Sequence, residues 1–282
     1  MKKSISYWSF PPNLSLKECF VLAKKAGFEA IEVALPSGKE ITLDSGKDDL
    51  IQVGKEANEA GLELSSLASG LFWDYSLTSS SSETREKAKQ IVRKMLKFAS
   101  YLGVDTILVV PGAVDVFFQP GGEVISYDLA YERAFSALKE LAPAAEKYRV
   151  NIGVENVWNK FLLSPLEMRD FIDKVGSPFV GAYFDVGNVI LTGYPEQWIR
   201  ILGKRIKKVH LKDFRSSVGN ANGFVDLLEG DVNWKEVIAA LKEVGYDGYL
   251  TAEMMPLYKE NDQALIYQTS RALDFILNKY GE

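Results

Sequence analysis

NIGVE (residues 151–155), VGAYFD (180–185), KKVH (207–210) and YLTAE (249–253) are four short apolar runs, each ending on a side chain able to ligate a metal. Each run reads as a buried strand. Strand side chains alternate between faces. Gly153 and Glu155 therefore share one face, with Ile152 and Val154 on the other. Gly181, Tyr183 and Asp185 oppose Ala182 and Phe184, and Tyr249, Thr251 and Glu253 oppose Leu250 and Ala252. In a parallel sheet all strand ends lie on one side, so Glu155, Asp185, His210 and Glu253 are expected to meet at one mouth. His210 is the only histidine among 282 residues.

Outward from this stretch, strands and helices alternate eight times. SISYW (Ser4–Trp8), FEAIEVA (Phe28–Ala34), LELSSLA (Leu62–Ala68) and DTILVV (Asp105–Val110) are the four earlier strands. Ser15 with Glu18, and Ser164 followed by Pro165 and Glu167, are helix starts. In the third helix, Ala88, Ile91, Val92, Met95, Leu96, Ala99 and Leu102 fall on one face. The closing helix does the same with Leu265, Thr269, Ala272, Leu273, Ile276 and Tyr280. One joint recurs: a helix ends in glycine, then come an apolar residue, an acid and a strand. It occurs at Gly27-Phe28-Glu29, Gly61-Leu62-Glu63, Gly103-Val104-Asp105 and Gly245-Tyr246-Asp247. Glycine supplies the left-handed turn that ends a helix. The pattern predicts an α/β (β/α)8 TIM barrel, a single domain over residues 1–282 with its site at the ends of strands five to eight. A doubly wound open sheet is the runner-up, but no G-x-G-x-x-G follows the first strand.

Composition narrows the function classes. The net charge of −5 argues against a protein that grips nucleic-acid phosphates. No apolar run approaches the roughly 20 residues that span a bilayer. The start, Met1-Lys2-Lys3 followed by Ser6, Pro11 and Pro12, is not a signal peptide. A single cysteine, Cys19, excludes an intrachain disulfide and fits a reducing, cytoplasmic setting. Cys19 lies among Phe20, Leu22 and Ala23 and reads as a buried structural thiol.

A histidine that ends an apolar run is commonly structural, and a carboxylate at a strand end is commonly a cap. Four such residues at four successive strand ends point instead to a metal site. Three oxygen ligands and one nitrogen suit Mn²⁺, Mg²⁺ or Co²⁺ with positions open for substrate. A closed zinc site would more usually carry thiolates.

VEN (Val154–Asn156), FDVGN (Phe184–Asn188), VHLKDF (Val209–Phe214) and AEM (Ala252–Met254) resemble the metal-binding strand ends of the xylose-isomerase-like sugar epimerases and isomerases. The resemblance is sharpest to the ketose 3-epimerases, both the tagatose/psicose type and the L-xylulose or L-ribulose 5-phosphate type. It implies one divalent metal, Mn²⁺ first and Mg²⁺, Co²⁺ or Zn²⁺ as alternatives, held by Glu155, Asp185, His210 and Glu253. It also implies that Glu155 and Glu253 move the proton during inversion at C3 of a ketose or ketose phosphate, through a metal-stabilised enediolate. Free-ketose enzymes typically carry a histidine three after the aspartate, where Asn188 stands here. They often carry a glutamate six after the first metal glutamate, where this chain has Phe161. ENVWNK (Glu155–Lys160) and HLKDF (His210–Phe214) more closely resemble the phosphopentulose branch or uncharacterised relatives.

The partner is expected to be a small sugar or sugar phosphate, with no nucleic acid and no membrane; a homo-oligomer is compatible, though no interface signature is visible. Asn188, Arg215, Trp158, Lys160 and Lys212 are the candidate substrate contacts. Asp213, of opposite parity to His210, is expected to cap or support. Glu32, ending the second strand, is expected at the surface, with a position pointing into the mouth as the alternative. Ser216–Asp231 reads either as a lid or as a packed irregular loop. An aldose–ketose isomerase would use the same site, as would a keto-cyclitol dehydratase; a sugar-binding barrel would keep the pocket without needing both glutamates. An apurinic endonuclease would need more histidines than one.

Overall fold

A computed structural model describes residues 1–279 apart from 120 and 256. The barrel strands are β1 (Lys2–Ser6), β2 (Ala30–Ala34), β3 (Glu63–Ala68), β4 (Thr106–Val109), β5 (Asn151–Glu155), β6 (Val180–Asp185) and β7 (Ile206–Leu211). A hairpin, β8 (Asp213–Phe214) with β9 (Phe224–Val225), precedes the last barrel strand, β10 (Tyr249–Ala252). All barrel ladders are parallel and the sheet closes in the order β1-β10-β7-β6-β5-β4-β3-β2. The predicted (β/α)8 barrel is the observed fold.

Outside it lie α1 (Leu16–Lys25), α2 (Lys47–Glu59), α3 (Ser82–Leu102), α4 (Tyr127–Tyr148), α5 (Pro165–Val175), α6 (Pro195–Leu202), α7 (Trp234–Glu243) and α8 (Ala264–Ile276). Ser15 and Glu18 form the reciprocal cap of α1, and the Ser164 side chain accepts from Glu167 N at the start of α5. The four recurrent glycines Gly27, Gly61, Gly103 and Gly245 all have positive φ, between 76° and 91°. The acid two places after each lies at the barrel floor and takes a cation or a backbone donor. Glu29 accepts from Lys3 N, Glu63 pairs with Lys2, Asp105 with Lys208, and Asp247 with the terminal amine. The first strand ends earlier than expected. The Ser6 side chain accepts from Trp8 N and turns Tyr7–Ser9 into a short 3-10 helix. Tyr280, expected on the face of the closing helix, lies outside the described residues.

Ile5, Ile31, Val33, Ile107, Ile152, Val154, Phe184, Val209 and Leu250 are buried in the apolar core. The barrel also holds a buried polar set that includes Ser4, Ser65, Ser66, Glu32, Tyr183, His210 and Thr251. Two ladders change register beneath the mouth. On β2–β3 the pairing passes from Ile31↔Leu64 to Glu32↔Ser66, and on β6–β7 from Ala182↔Ile206 to Tyr183↔Lys208. Such irregularities re-aim side chains and recur beside functional sites. Among the described residues no helix is long and apolar enough to cross a membrane.

Candidate metal centre

Glu155 and Asp185 are the last residues of β5 and β6. His210 is the penultimate residue of β7, and Glu253 follows β10 directly. All four are buried, and one ligand-type atom from each lies within 4.8 Å of all the others. Asp185 is level with His210 on the β6–β7 ladder, and His210 is level with Thr251 of β10. Glu155 and Glu253 stand on strands separated by β6 and β7, so they flank the group from two sides.

His210 Nδ1 faces both glutamates, 2.9 Å from Glu253 Oε2 and 3.7 Å from Glu155 Oε1. Neither contact is aligned as a hydrogen bond, and Nδ1 is a buried polar atom with no satisfied partner. Buried polar atoms seldom go unpartnered. An imidazole nitrogen left so among three carboxylates fits a cation ligated from this side. The absence of thiolates and the dominance of oxygen fit a hard or borderline divalent ion. The cluster is therefore able to hold a metal.

Lys212 reaches the same group. Its Nζ donates to Asp185 Oδ2 and Glu253 Oε2, each at 2.7 Å. Gly187 allows that approach, since a Cβ there would stand 2.5 Å from Lys212 Cβ. The electrostatics are strongly uneven when set by protein groups alone. Burial pushes the Glu155 carboxyl above its ordinary range. Burial would also raise Glu253, but the Lys212 ammonium and His210 hold it well below. Burial disfavours the His210 imidazolium, yet the carboxylates of Glu32, Glu155 and Glu253 hold its pKa well above the ordinary value.

Asn156 locks the rim. Its Nδ2 donates to Asp185 O and its Oδ1 accepts from Asp185 N, both at 2.8 Å. Asn188 is committed to the same corner, with N donating to Asp185 Oδ1 and Nδ2 to Asn156 O. Trp158 Nε1 donates to Asn188 O, and its ring meets Phe117, Phe214 and Phe224. Trp158, Lys160 and Asn188 all border one cavity of about 420 Å³, mostly apolar and walled also by Phe117 and Leu191. Lys160 Nζ is exposed and paired with Asp115. Arg215 is half exposed and bonds to Glu229, within the 216–231 segment. The structure thus brings Lys212 into the cluster and places Trp158, Lys160 and Asn188 beside that cavity. Arg215 points into its own loop.

Asp213, just ahead of that segment, anchors its base. Asp213 is fully buried. Its carboxylate accepts from Phe214 N, Leu228 N, Val232 N and Trp234 Nε1.

Glu32 corrects the sequence reading. It is not on the surface but fully buried. Its Oε1 lies 2.9 Å from His210 Nε2, and its Oε2 accepts from Ser66 Oγ and from the Tyr183 phenol. Both faces of β2 are buried, one under the helices and one inside the barrel, so an acid in it has no route to solvent. Alternation sets Glu32 on the face opposite Ile31 and Val33, and closure of the sheet turns that face into the barrel interior. Asn156 and Tyr183 were not singled out for a role either. Their importance depends on contacts made across strands.

A closed parallel barrel with a buried carboxylate–histidine cluster at its C-terminal mouth defines the class of this protein. Its family profile matches residues 20–273, and the chain belongs to the xylose isomerase-like TIM barrel family. It is 24% identical over 283 residues to L-ribulose-5-phosphate 3-epimerase UlaE of Salmonella paratyphi C, covering 98% of this chain and 95% of that one. It is 27% identical over 189 residues to the uncharacterized protein MJ1311 of Methanocaldococcus jannaschii, covering 64% of this chain and 61% of that one. Its fold is similar to that of a D-psicose 3-epimerase with D-tagatose from Clostridium cellulolyticum H10, with a TM-score of 0.81, 19% identity and 99% of each chain covered.

Proposed function

We propose that this protein is a divalent-metal-dependent 3-epimerase of a ketose or ketose 5-phosphate, with Mn²⁺ as the working ion. The observation that carries the reading is the convergence of Glu155, Asp185, His210 and Glu253 within 4.8 Å. Likeness to an L-ribulose-5-phosphate 3-epimerase along almost the whole chain supports the choice of reaction.

Bound there, a divalent ion supplies Lewis-acid stabilisation of the negative charge that develops on the substrate carbonyl oxygen. The chain does the rest. A C–H beside a ketose carbonyl is too weakly acidic to ionise unaided, and inversion needs a base on one face and an acid on the other. Glu155 and Glu253 flank the cluster from β5 and β10. One carboxylate removes the C3 proton, and the opposite carboxyl delivers a proton to the other face. Which acts first depends on the configuration of the substrate. Asp185 and His210, together with the two glutamates, would hold the ion. Lys212 Nζ, already donating to two of these carboxylates, is placed to donate to a substrate oxygen. Trp158 and Asn188 offer an aromatic wall and a polar rim for the sugar chain, and Lys160 is the cation beside that cavity.

The test is proton exchange in D₂O with Mg²⁺ or Mn²⁺ against ketoses and ketose 5-phosphates, read by NMR. Deuterium at C3 together with a C3 epimer supports the proposal and names the substrate. Deuterium accompanied by aldose identifies an isomerase instead. Loss of a water molecule identifies a dehydratase, and metal uptake without exchange identifies a binding protein. Glu155→Gln and Glu253→Gln should each lower exchange by about 10²–10⁴-fold with the circular-dichroism spectrum unchanged; wild-type exchange in either variant removes that residue from the chemistry.

A further inference from the structure

Beneath the cluster lies a buried carboxylate that the proposed proton transfers do not use. Glu32 is fully enclosed by the barrel, where an ionised group is costly unless it is paired and hydrogen-bonded. Three donors meet it: the Tyr183 phenol, Ser66 Oγ at 2.9 Å and His210 Nε2 at 2.9 Å. Only the imidazole among these can also face the metal-type ligands. A neutral imidazole carries one N–H, and its position is set by what the other nitrogen meets. When a bound cation takes the place of the Nδ1 proton, donation from Nε2 to Glu32 would leave the Nδ1 lone pair on the side of Glu155 and Glu253, where that atom has no aligned hydrogen bond. The Tyr183 ring meets the imidazole edge-on at 4.6 Å, so ring rotation is restrained as well. The register change on β2–β3 brings Ser66 level with Glu32.

We infer that Glu32 is a positioning residue that fixes the tautomer and rotation of His210, so that Nδ1 and not Nε2 is presented to the divalent ion. The inference rests on the metal reading of the cluster. It also supplies a distinction that a merely structural buried acid would not. Glu32 acts on the identity of the ligating nitrogen, and so on metal affinity, through a residue that is unique in the chain.

That uniqueness makes the test direct. Protein labelled with ¹⁵N-histidine gives the signals of His210 alone, and Zn²⁺ is a diamagnetic probe. In the wild type, Zn²⁺ should shift Nδ1, while Nε2 keeps its proton in a downfield, hydrogen-bonded resonance. Glu32→Leu should bind Zn²⁺ about 10–100-fold more weakly by calorimetry, with both nitrogens sampled by the metal. Glu32→Gln keeps an acceptor of the same size. It should fold as the wild type does, retain the Nε2 proton and move that proton's resonance upfield, with a smaller loss of affinity. Equal Zn²⁺ affinity in wild type and Glu32→Leu overturns the inference. So does an unmoved Nε2 proton in Glu32→Gln, or Nε2 as the metal-shifted nitrogen in the wild type. Failure of the wild type itself to take up Zn²⁺ or Mn²⁺ is a different result: it removes the metal reading and the inference together.

Discussion

Lys212 and Lys160 show how far burial separates two side chains of the same type. Lys160 ends at an exposed pair with Asp115, a contact of the kind that contributes little. Lys212 lies buried between Asp185 and Glu253, and its partners hold its pKa well above the ordinary value despite the burial. In metal-free protein, Lys212→Met should leave these carboxylates without their cation and cost about 3–5 kcal/mol. The check is the melting temperature with and without Mn²⁺; the ion should recover part of the loss. An unchanged metal-free melting temperature would show that the ammonium is not what holds the two carboxylates together. Cys19 is a second case of burial setting chemistry. Enclosure pushes its thiol up to about 12. At pH 8 it is therefore protonated, and iodoacetamide should label it only in denaturant; labelling of native protein at the denatured rate would contradict the packing.

Between β7 and α7 one carboxylate anchors a long polar segment at several points. Asp213 serves the hairpin, the following turn and Trp234 of α7 together. Phe214 and Phe224 of the hairpin also meet Trp158, so the loop after β7 and the loop after β5 form one wall. Asp213→Ala would leave buried N–H groups unpaired, each at a cost of about 1–3 kcal/mol. The expected result is faster hydrogen exchange over residues 214–232 and poorer substrate binding, with the rest of the barrel still protected. Uniform exchange across barrel and loop would mean that the segment does not move as a unit. The register changes on β2–β3 and β6–β7 act on the same level of structure. They bring Ser66 beside Glu32, and Asp185 beside His210.

Closure of the barrel makes these local arrangements into a site. Acids of the recurrent joint tie the floor, the helices cover the outer face, and the mouth collects three carboxylates and an imidazole that repel or strain one another unless cations hold them. A bound ion should therefore stabilise the fold as a whole. At a free concentration of 100 times its dissociation constant, it adds about 2.7 kcal/mol. Chelation followed by dialysis should lower the melting temperature, and Mn²⁺ should restore it in a concentration-dependent way. A melting temperature indifferent to Mn²⁺ from micromolar to millimolar would argue against the site.

The barrel was legible because its signals are local and repeated: glycine joints, helix caps and apolar runs of strand length. The four ligand-type residues were legible for the same reason, since a parallel sheet carries every strand end to one side whatever the details of packing. Glu32 was not. A single acid in an apolar strand reads the same whether it faces water or the barrel axis, and only closure of the sheet decides which. The roles of Asn156, Tyr183 and Lys212 were likewise hidden. Their bonds run to Asp185, to Glu32 and to Glu253, between residues far apart in the chain. No pattern of spacing encodes such distances. They follow from register, from two one-residue shifts in the ladders, and from burial that leaves each polar group no partner but its neighbours.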